Sequence, residues 1–183
     1  MRHARSVRHQ GKSLAEILEA HQKFVKAQEG GIRADLTGAD LSRVDLRGVN
    51  LTGAVLVRAR LDHSDLRTAK LVMADLAQAS LRHADLRTCD LTEARLVEAD
   101  LAKADLSGSE LYRADLSRCG MQGAVLRAAV LRRATLRGAD LGGADLESAR
   151  IEESDIAGVK LEGVDLGRAI FRNNSGQARG ASG

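Results

Sequence analysis

From Ala34 to Arg172 a large apolar residue returns at every fifth position without a slip of register. The series opens with Leu36, Leu41, Leu46 and Leu51 and closes with Leu161, Leu166 and Phe171. Two residues before each stands a small one, Ala in most repeats and Val44, Ser64 or Cys89 in others, and Asp usually lies between, so the chain reads A-D-L-x-x. A spacing of five makes no helical face: at 100° per residue each Leu would be turned about 140° from the last, and no stripe would form. In an extended segment, by contrast, the small residue and the Leu two places on point to the same side. The two residues after Leu, often Thr, Ser, Arg or Gly, must then bend the chain before the next inward pair. Each repeat is a very short strand plus a bend. Chaining such units with Leu and Ala inward closes a coil, and successive coils stack as parallel strands into a solenoid.

Ahead of the repeats the period changes. Ser13-Leu14-Ala15-Glu16 is a capping-box sequence and predicts a helix start, because the Ser oxygen and the Glu carboxylate each satisfy a free N–H of the first turn. Leu14, Ile17, Leu18, His21, Phe24, Val25 and Gln28 then fall on one stripe, and Gly30-Gly31 supplies a stop. A stack of coils leaves an open first layer, so residues 13–30 are expected to form a capping helix, with Leu14, Ile17, Leu18 and Phe24 covering that layer. His21 is expected at its boundary with one satisfied nitrogen. Residues 1–12 hold Arg2, Arg5, Arg8 and Lys12 without periodicity and are expected to be a flexible basic tail. The repeat body is placed at 32–173, and residues 174–183, polar and glycine-rich, are expected to be disordered.

Twenty-eight consecutive units in register make the stretch from Ala34 to Phe171 resemble the pentapeptide repeat family. The resemblance implies an all-β solenoid, a right-handed quadrilateral β-helix with four repeats per coil. It implies about seven coils and, at roughly 4.8 Å per strand layer, a rod about 34 Å long. Opposite charges recur at an offset of twenty, as in Glu93 with Arg113, Glu98 with Arg118 and Arg133 with Glu153, which leans the same way. On four-sided coils, the side of Leu46, Leu66 and Leu86 has Asp45, Asp65 and Asp85 before the Leu and Arg47, Arg67 and Arg87 after it, an expected charge lattice.

Composition narrows the function. A total of 28 basic and 25 acidic residues gives a net charge of +3, which argues against a dedicated nucleic-acid binder and against an acidic mimic of DNA. Cys89 and Cys119 sit at the small position outside any C-x-x-C pair and are expected to be buried, reduced thiols; with no secretory signal, the expectation is a bacterial cytoplasmic protein. No apolar run approaches the roughly 20 residues of a membrane span. Nothing pairs a nucleophile with a base, forms a phosphate loop or clusters metal ligands, so neither an enzyme nor a cofactor is expected. His63 and His83 share a column with Arg43 and Lys103, and these cations oppose a metal there.

The residues between Leu111 and Gly138 hold six Arg against Asp115, and this band supplies the candidate interaction surface: Tyr112, Arg113, Val125, Arg127, Val130, Arg132, Arg133 and Arg137. Offset-twenty pairing neutralises most of it and leaves Arg137 without an acid. Ile170, standing where Asp is usual, and Phe171 are the candidate contact for an end-to-end homodimer. A non-enzymatic interaction or scaffold module with a protein partner is the leading reading. One branch of the resembling family binds type II topoisomerases as a DNA mimic, but with acidic rods, Phe at the central position, loop insertions and a C-terminal helix, none of which this chain has. Binding of an anionic surface or nucleic acid through the basic tail is the other alternative.

Overall fold

The computed structural model describes residues 1–178, and in it each five-residue step is one bend. The second residue after Leu takes the left-handed region, with φ of 66° at Gly38 and 57° at Arg43. The N–H of the next small residue then donates back to the Leu carbonyl, as Ala39 does to Leu36 at 3.0 Å. The Asp before Leu completes the bend. Its Oδ1 accepts the N–H of the residue after Leu, from Thr37 to Asp35 at 3.0 Å and from Ala77 to Asp75 at 3.1 Å. Such an Asx-turn satisfies a donor that the bend turns away from the ladder. Asn50 serves Thr52 in the same way at 3.0 Å, so the bend needs the side-chain oxygen and not its charge.

Twenty residues close one coil. Asp35 pairs in parallel with Val55, Val55 with Asp75, and so on to Asp155 with Ser175; three further series start at Asp40, Asp45 and Asn50. The four sides thus carry, in order, Leu36, Leu41, Leu46 and Leu51 and the residues twenty apart from each. The Leu36 N–H donates to the Val55 carbonyl at 2.7 Å and the Val55 N–H to the Ala34 carbonyl at 2.9 Å, and this alternation repeats up every side. Leu and Ala fill the interior. Each buried Leu contributes roughly 1.5–3 kcal/mol, against about 0.2–1 kcal/mol for an exposed ion pair, so the core holds the rod and the charges decorate it. Cys89 and Cys119 lie in this core and donate their thiols to the carbonyls of Leu66 and Leu96 at 2.8 and 2.7 Å. Burial pushes both thiols up to about 12, which removes the thiolate that reactivity needs.

Residues 1–12 are folded onto the body, which corrects the expectation of a flexible tail. Strands β1 (Arg8–His9) and β2 (Lys12–Ser13) form an antiparallel hairpin across Gln10 and Gly11, whose φ values of 49° and 81° suit a tight turn. Arg2 pairs in parallel with Val44, accepting the Asp45 N–H at 3.0 Å, and Val7 is buried. The segment is held by main-chain pairing to the free edge of the first coil, an attachment that needs no hydrophobic period.

Helix α1 (Leu14–Val25) follows, with both halves of the capping box made: Ser13 N–H to Glu16 Oε2 at 2.7 Å and Glu16 N–H to Ser13 Oγ at 3.3 Å. Leu14 is buried in the core and Ile17 and Leu18 pack against it. Phe24 does not join them: it is 43% exposed and stacks on His21, ring centroids 5.7 Å apart. Ten residues from Leu14 it lies about 80° around the helix, at the rim of the stripe.

His21 is fully buried, and its Nδ1 accepts the Ala34 N–H at 3.0 Å, joining α1 to the first repeat. Burial, with the Arg33 charge second, lowers its pKa below the ordinary 6.5. Protonating Nδ1 would also turn the Ala34 contact into donor against donor. The unfolded chain takes up the proton more readily, so this stabilisation is complete above pH 6.5 and is lost as the pH falls below it toward the depressed folded value. Thermal unfolding should drop between pH 7 and 5, and the drop should vanish in His21→Gln; a pH-independent midpoint would count against this role.

Near the other end, β3 (Arg150–Glu152) and β4 (Ile170–Arg172) pair in parallel, with Ile151 opposite Phe171. The ladder runs beyond residue 173. Ile156 N–H donates to the Ser175 carbonyl at 2.9 Å, Asn174 takes the small position and donates to the Ile151 carbonyl at 2.8 Å, and Ala178 packs on the core. Residues 174–178 therefore depart from the expected disorder, because main-chain pairing is indifferent to their polar side chains. The rest of that expectation, 179–183, lies outside the described residues.

Candidate interaction surfaces

The repeat geometry places each outward residue in a column. The residue before Leu and the residue after it both face out on the same side, so an Arg after Leu reaches the acid before Leu one coil on, an offset of eighteen. On the third side Arg47, Arg67 and Arg87 each grip the Asp two residues back through Nε and Nη2, at 2.9 and 2.7, 2.9 and 2.6, and 2.8 and 2.7 Å. Nε of each also lies 3.6, 3.4 and 3.7 Å from Asp65, Asp85 and Asp105 of the following coil. The Arg47 hydrogen bonds hold Asp45 down to about 2, and Arg67 and Arg87 lower Asp65 and Asp85 in the same way. The expected lattice is present there.

The basic band is neutralised more fully than the spacing foretold. Arg113 meets Glu93 at 3.4 Å, Arg118 meets Glu98 at 2.7 Å, and Arg133 meets Glu153 at 2.7 Å. Arg137 is not unpaired: it reaches Asp155 at 3.0 Å. Arg132 also takes Glu153, at 2.8 Å, because Glu152 is held by Arg150 at 3.0 Å. An offset-twenty search misses both, since it compares a column only with itself.

The eight candidate residues also do not converge. Tyr112, Arg113, Val130, Arg132 and Arg133 share the fourth side, Val125 and Arg127 lie on the third, and Arg137 is on the first. On the fourth side Arg113 stacks over the Tyr112 ring at 5.2 Å, so this face is a charged patch around one aromatic. Val125 and Val130 are half-buried and offer little apolar area. Ile170 is 37% exposed in the outward position that Asp usually holds, at the flank of the last coil, while Phe171 is half-buried against the core.

His63 and His83 stack face to face, 4.9 Å apart and within 5° of parallel. Among the described residues no group of three His, Cys, Asp or Glu is placed to hold a metal. In the first twelve residues Arg2 lies beside Asp40 at 3.7 Å and Arg8 donates to the Gly11 carbonyl at 3.2 Å. A small cleft of about 130 Å³ between hairpin, α1 and first coil, lined by His9, Lys12, Ile17, Ile32 and Arg33, was not foreseen, because it exists only once the N-terminal residues fold back. No helix among the described residues is long and apolar enough to cross a membrane.

A solenoid with parallel ladders on four sides, one bend per five residues and a Leu/Ala core defines a quadrilateral β-helix repeat protein. The pentapeptide-repeat family profile, "Pentapeptide repeats", matches in eight copies over residues 32–67, 69–108, 109–147 and 138–173, and the chain belongs to that family, whose members fold into right-handed quadrilateral β-helices. Solved structures similar to it include HetL, a pentapeptide repeat protein involved in heterocyst differentiation regulation in the cyanobacterium Nostoc sp. strain PCC 7120. HetL is 32% identical over 78% of this chain and 82% of its own, with a TM-score of 0.30. A thylakoid-lumen pentapeptide repeat protein of Arabidopsis thaliana is 27% identical over 60% of this chain and 69% of its own, with a TM-score of 0.39. QnrB1, a plasmid-mediated fluoroquinolone resistance protein, is 25% identical over 73% and 77%, with a TM-score of 0.46. No curated protein matches the chain.

Proposed function

We propose that the protein is a non-enzymatic interaction module of the bacterial cytoplasm, presenting to a protein partner a rigid rod of about seven coils whose first coil is capped by α1 and the hairpin. The observation behind this reading is the surface itself, on which outward carboxylates and guanidinium groups pin one another over a filled core. Side chains already held in place lose less freedom when a partner docks. The two thiols are buried and pushed up to about 12, which fits a recognition role better than a reactive one. The proposal includes a second copy as partner, joined end to end through the last coil at Phe171 with Ile170 beside it.

The test is capture by the intact chain, with charges reversed on one side at a time: Arg113→Glu with Arg133→Glu on the fourth side, Arg47→Glu with Arg67→Glu on the third. A partner lost with one pair and kept with the other supports the reading. Retention of the same proteins by both variants would overturn it. So would inhibition of gyrase supercoiling at sub-micromolar protein, which would restore the topoisomerase alternative.

A further inference from the structure

Ion pairing uses up most of the guanidinium groups on this rod, and it does so unevenly. Along the third side Arg47, Arg67, Arg87 and Arg127 each hold an Asp, and on the first side Arg95 and Arg118 hold Asp75 and Glu98. Grooves lined by such pairs offer little net charge. The first four coils of the second side are different, because Arg43, Arg60 and Lys103 have no carboxylate within ion-pair distance among the described residues. Asp40, one coil below Arg60, is taken by Arg2 at 3.7 Å, and Asp100 is taken by Arg82 at 3.0 Å. One acid, Asp62, is left to set against three cations.

These charges surround the two stacked histidines. The rings of His63 and His83 lie 4.9 Å apart and within 5° of parallel, so their faces cover each other and only the ring edges, which carry the nitrogens, are left for a ligand. Both residues are exposed. An open recess of about 350 Å³ is lined by Arg43, Arg60, Asp62, His63, Arg82 and His83. Arg43 reaches it from the first coil, Arg60 and His63 from either side of Leu61 in the second, and His83 from the third. Donors at three levels suit a tetrahedral oxyanion better than a planar carboxylate, which is met in one plane. Asp62 opposes an anion, but its Oδ1 is already engaged by the Arg82 N–H at 3.0 Å and by the Ser80 hydroxyl.

We propose that this recess binds the phosphoryl group of a small molecule, either free phosphate or a phosphate monoester. Arg43 and Arg60 are its charge partners, and the imidazole edges are further donors. Three cations less one carboxylate leave an excess of two positive charges, which matches a dianion. The site is separate from the interaction-module reading, whose tested surfaces lie on the third and fourth sides, so either can fail alone.

The intact chain is titrated at low salt with inorganic phosphate and with glycerol 3-phosphate while its backbone amide resonances are followed, and glycerol serves as the neutral match. Saturable shifts at Arg43, Arg60, His63 and His83 are expected with both phosphates and not with glycerol. Tighter binding of the ester identifies a monoester as the ligand, and equal binding identifies free phosphate. Arg43→Gln and Arg60→Gln should each weaken binding by about fivefold or more. Asp62→Asn, which keeps the Oδ1 acceptor and removes the opposing charge, should tighten it by about threefold. Arg118→Gln is the control: it removes the same charge from the first side, where Arg118 holds Glu98 at 2.7 Å. It should change binding by less than about twofold. Binding that survives both arginine variants, that weakens in Asp62→Asn, or that falls as far in Arg118→Gln would overturn the site. So would a short single-stranded oligonucleotide that shifts amides on several sides while glycerol 3-phosphate shifts none, since the patch would then be a surface for nucleic acid.

Discussion

Leu96→Ala is expected to lower stability by about 2–5 kcal/mol, among the largest losses that one truncation can cause here. Leu96 is fully buried on the first side, with Leu76 one coil below and Leu116 one coil above. Those coils cannot close over the hole. The Leu76 N–H is bonded to the Arg95 carbonyl at 2.7 Å and the Leu96 N–H to the Asp115 carbonyl at 2.7 Å, so hydrogen bonds and not side chains set the spacing. Because each coil touches only its neighbours, the defect also weakens the coupling between the blocks on either side, and the transition should broaden. Leu166→Ala, in the last coil and only half-buried, should cost less than about 1.5 kcal/mol. Urea denaturation followed by circular dichroism measures both; equal costs would show that the mid-rod layer is not the unit of stability.

The sequence made the body of this protein unusually legible, because a five-residue period leaves one way to keep Leu and Ala together. The same regularity hid what the other positions do. Asp before Leu is expected to build a charge lattice, yet its constant task is to accept the N–H two residues on, and the grip by an Arg of the same repeat is an addition made at Asp45, Asp65 and Asp85 by Arg47, Arg67 and Arg87. Asn50, uncharged at the same position, was the clue. The ends were misjudged for another reason. Arg2 and Ser175 attach through main-chain bonds to a coil edge, and such bonds leave no hydrophobic signature. The candidate residues spread over three sides because neighbours in sequence are carried around the coil, so the band of twenty-six residues between Leu111 and Gly138 visits every side. Physical neighbours here are eighteen to twenty-one residues apart, as the pairs of Arg137 with Asp155 and Arg132 with Glu153 demonstrate.

The junction between helix and rod depends on a single hydrogen atom, and Gly31→Ala is expected to break it. A Cβ on Gly31 would lie 2.4 Å from Phe24 N and 2.6 Å from Phe24 Cα, both main-chain atoms of the last turn of α1, which cannot swing aside as a side chain would. Either that turn unwinds or the link to the first repeat moves. Both routes strain the same two bonds, Ile32 N–H to the Ala20 carbonyl at 3.0 Å and Ala34 N–H to His21 Nδ1 at 3.0 Å. The cost should be about 3 kcal/mol, at the upper end for overpacking. It should fall on the N-terminal unit, so hydrogen exchange should accelerate at Ile32 and Ala34 while the amides of Leu96 and Leu116 stay protected. Gly30→Ala separates this clash from a simple loss of backbone freedom. Gly30 has a φ of 72° but nothing within 4 Å of the added methyl, so its substitution should cost only about 1–2 kcal/mol. If the two substitutions prove equally harmful, the contact with Phe24 is not what fixes the helix to the rod.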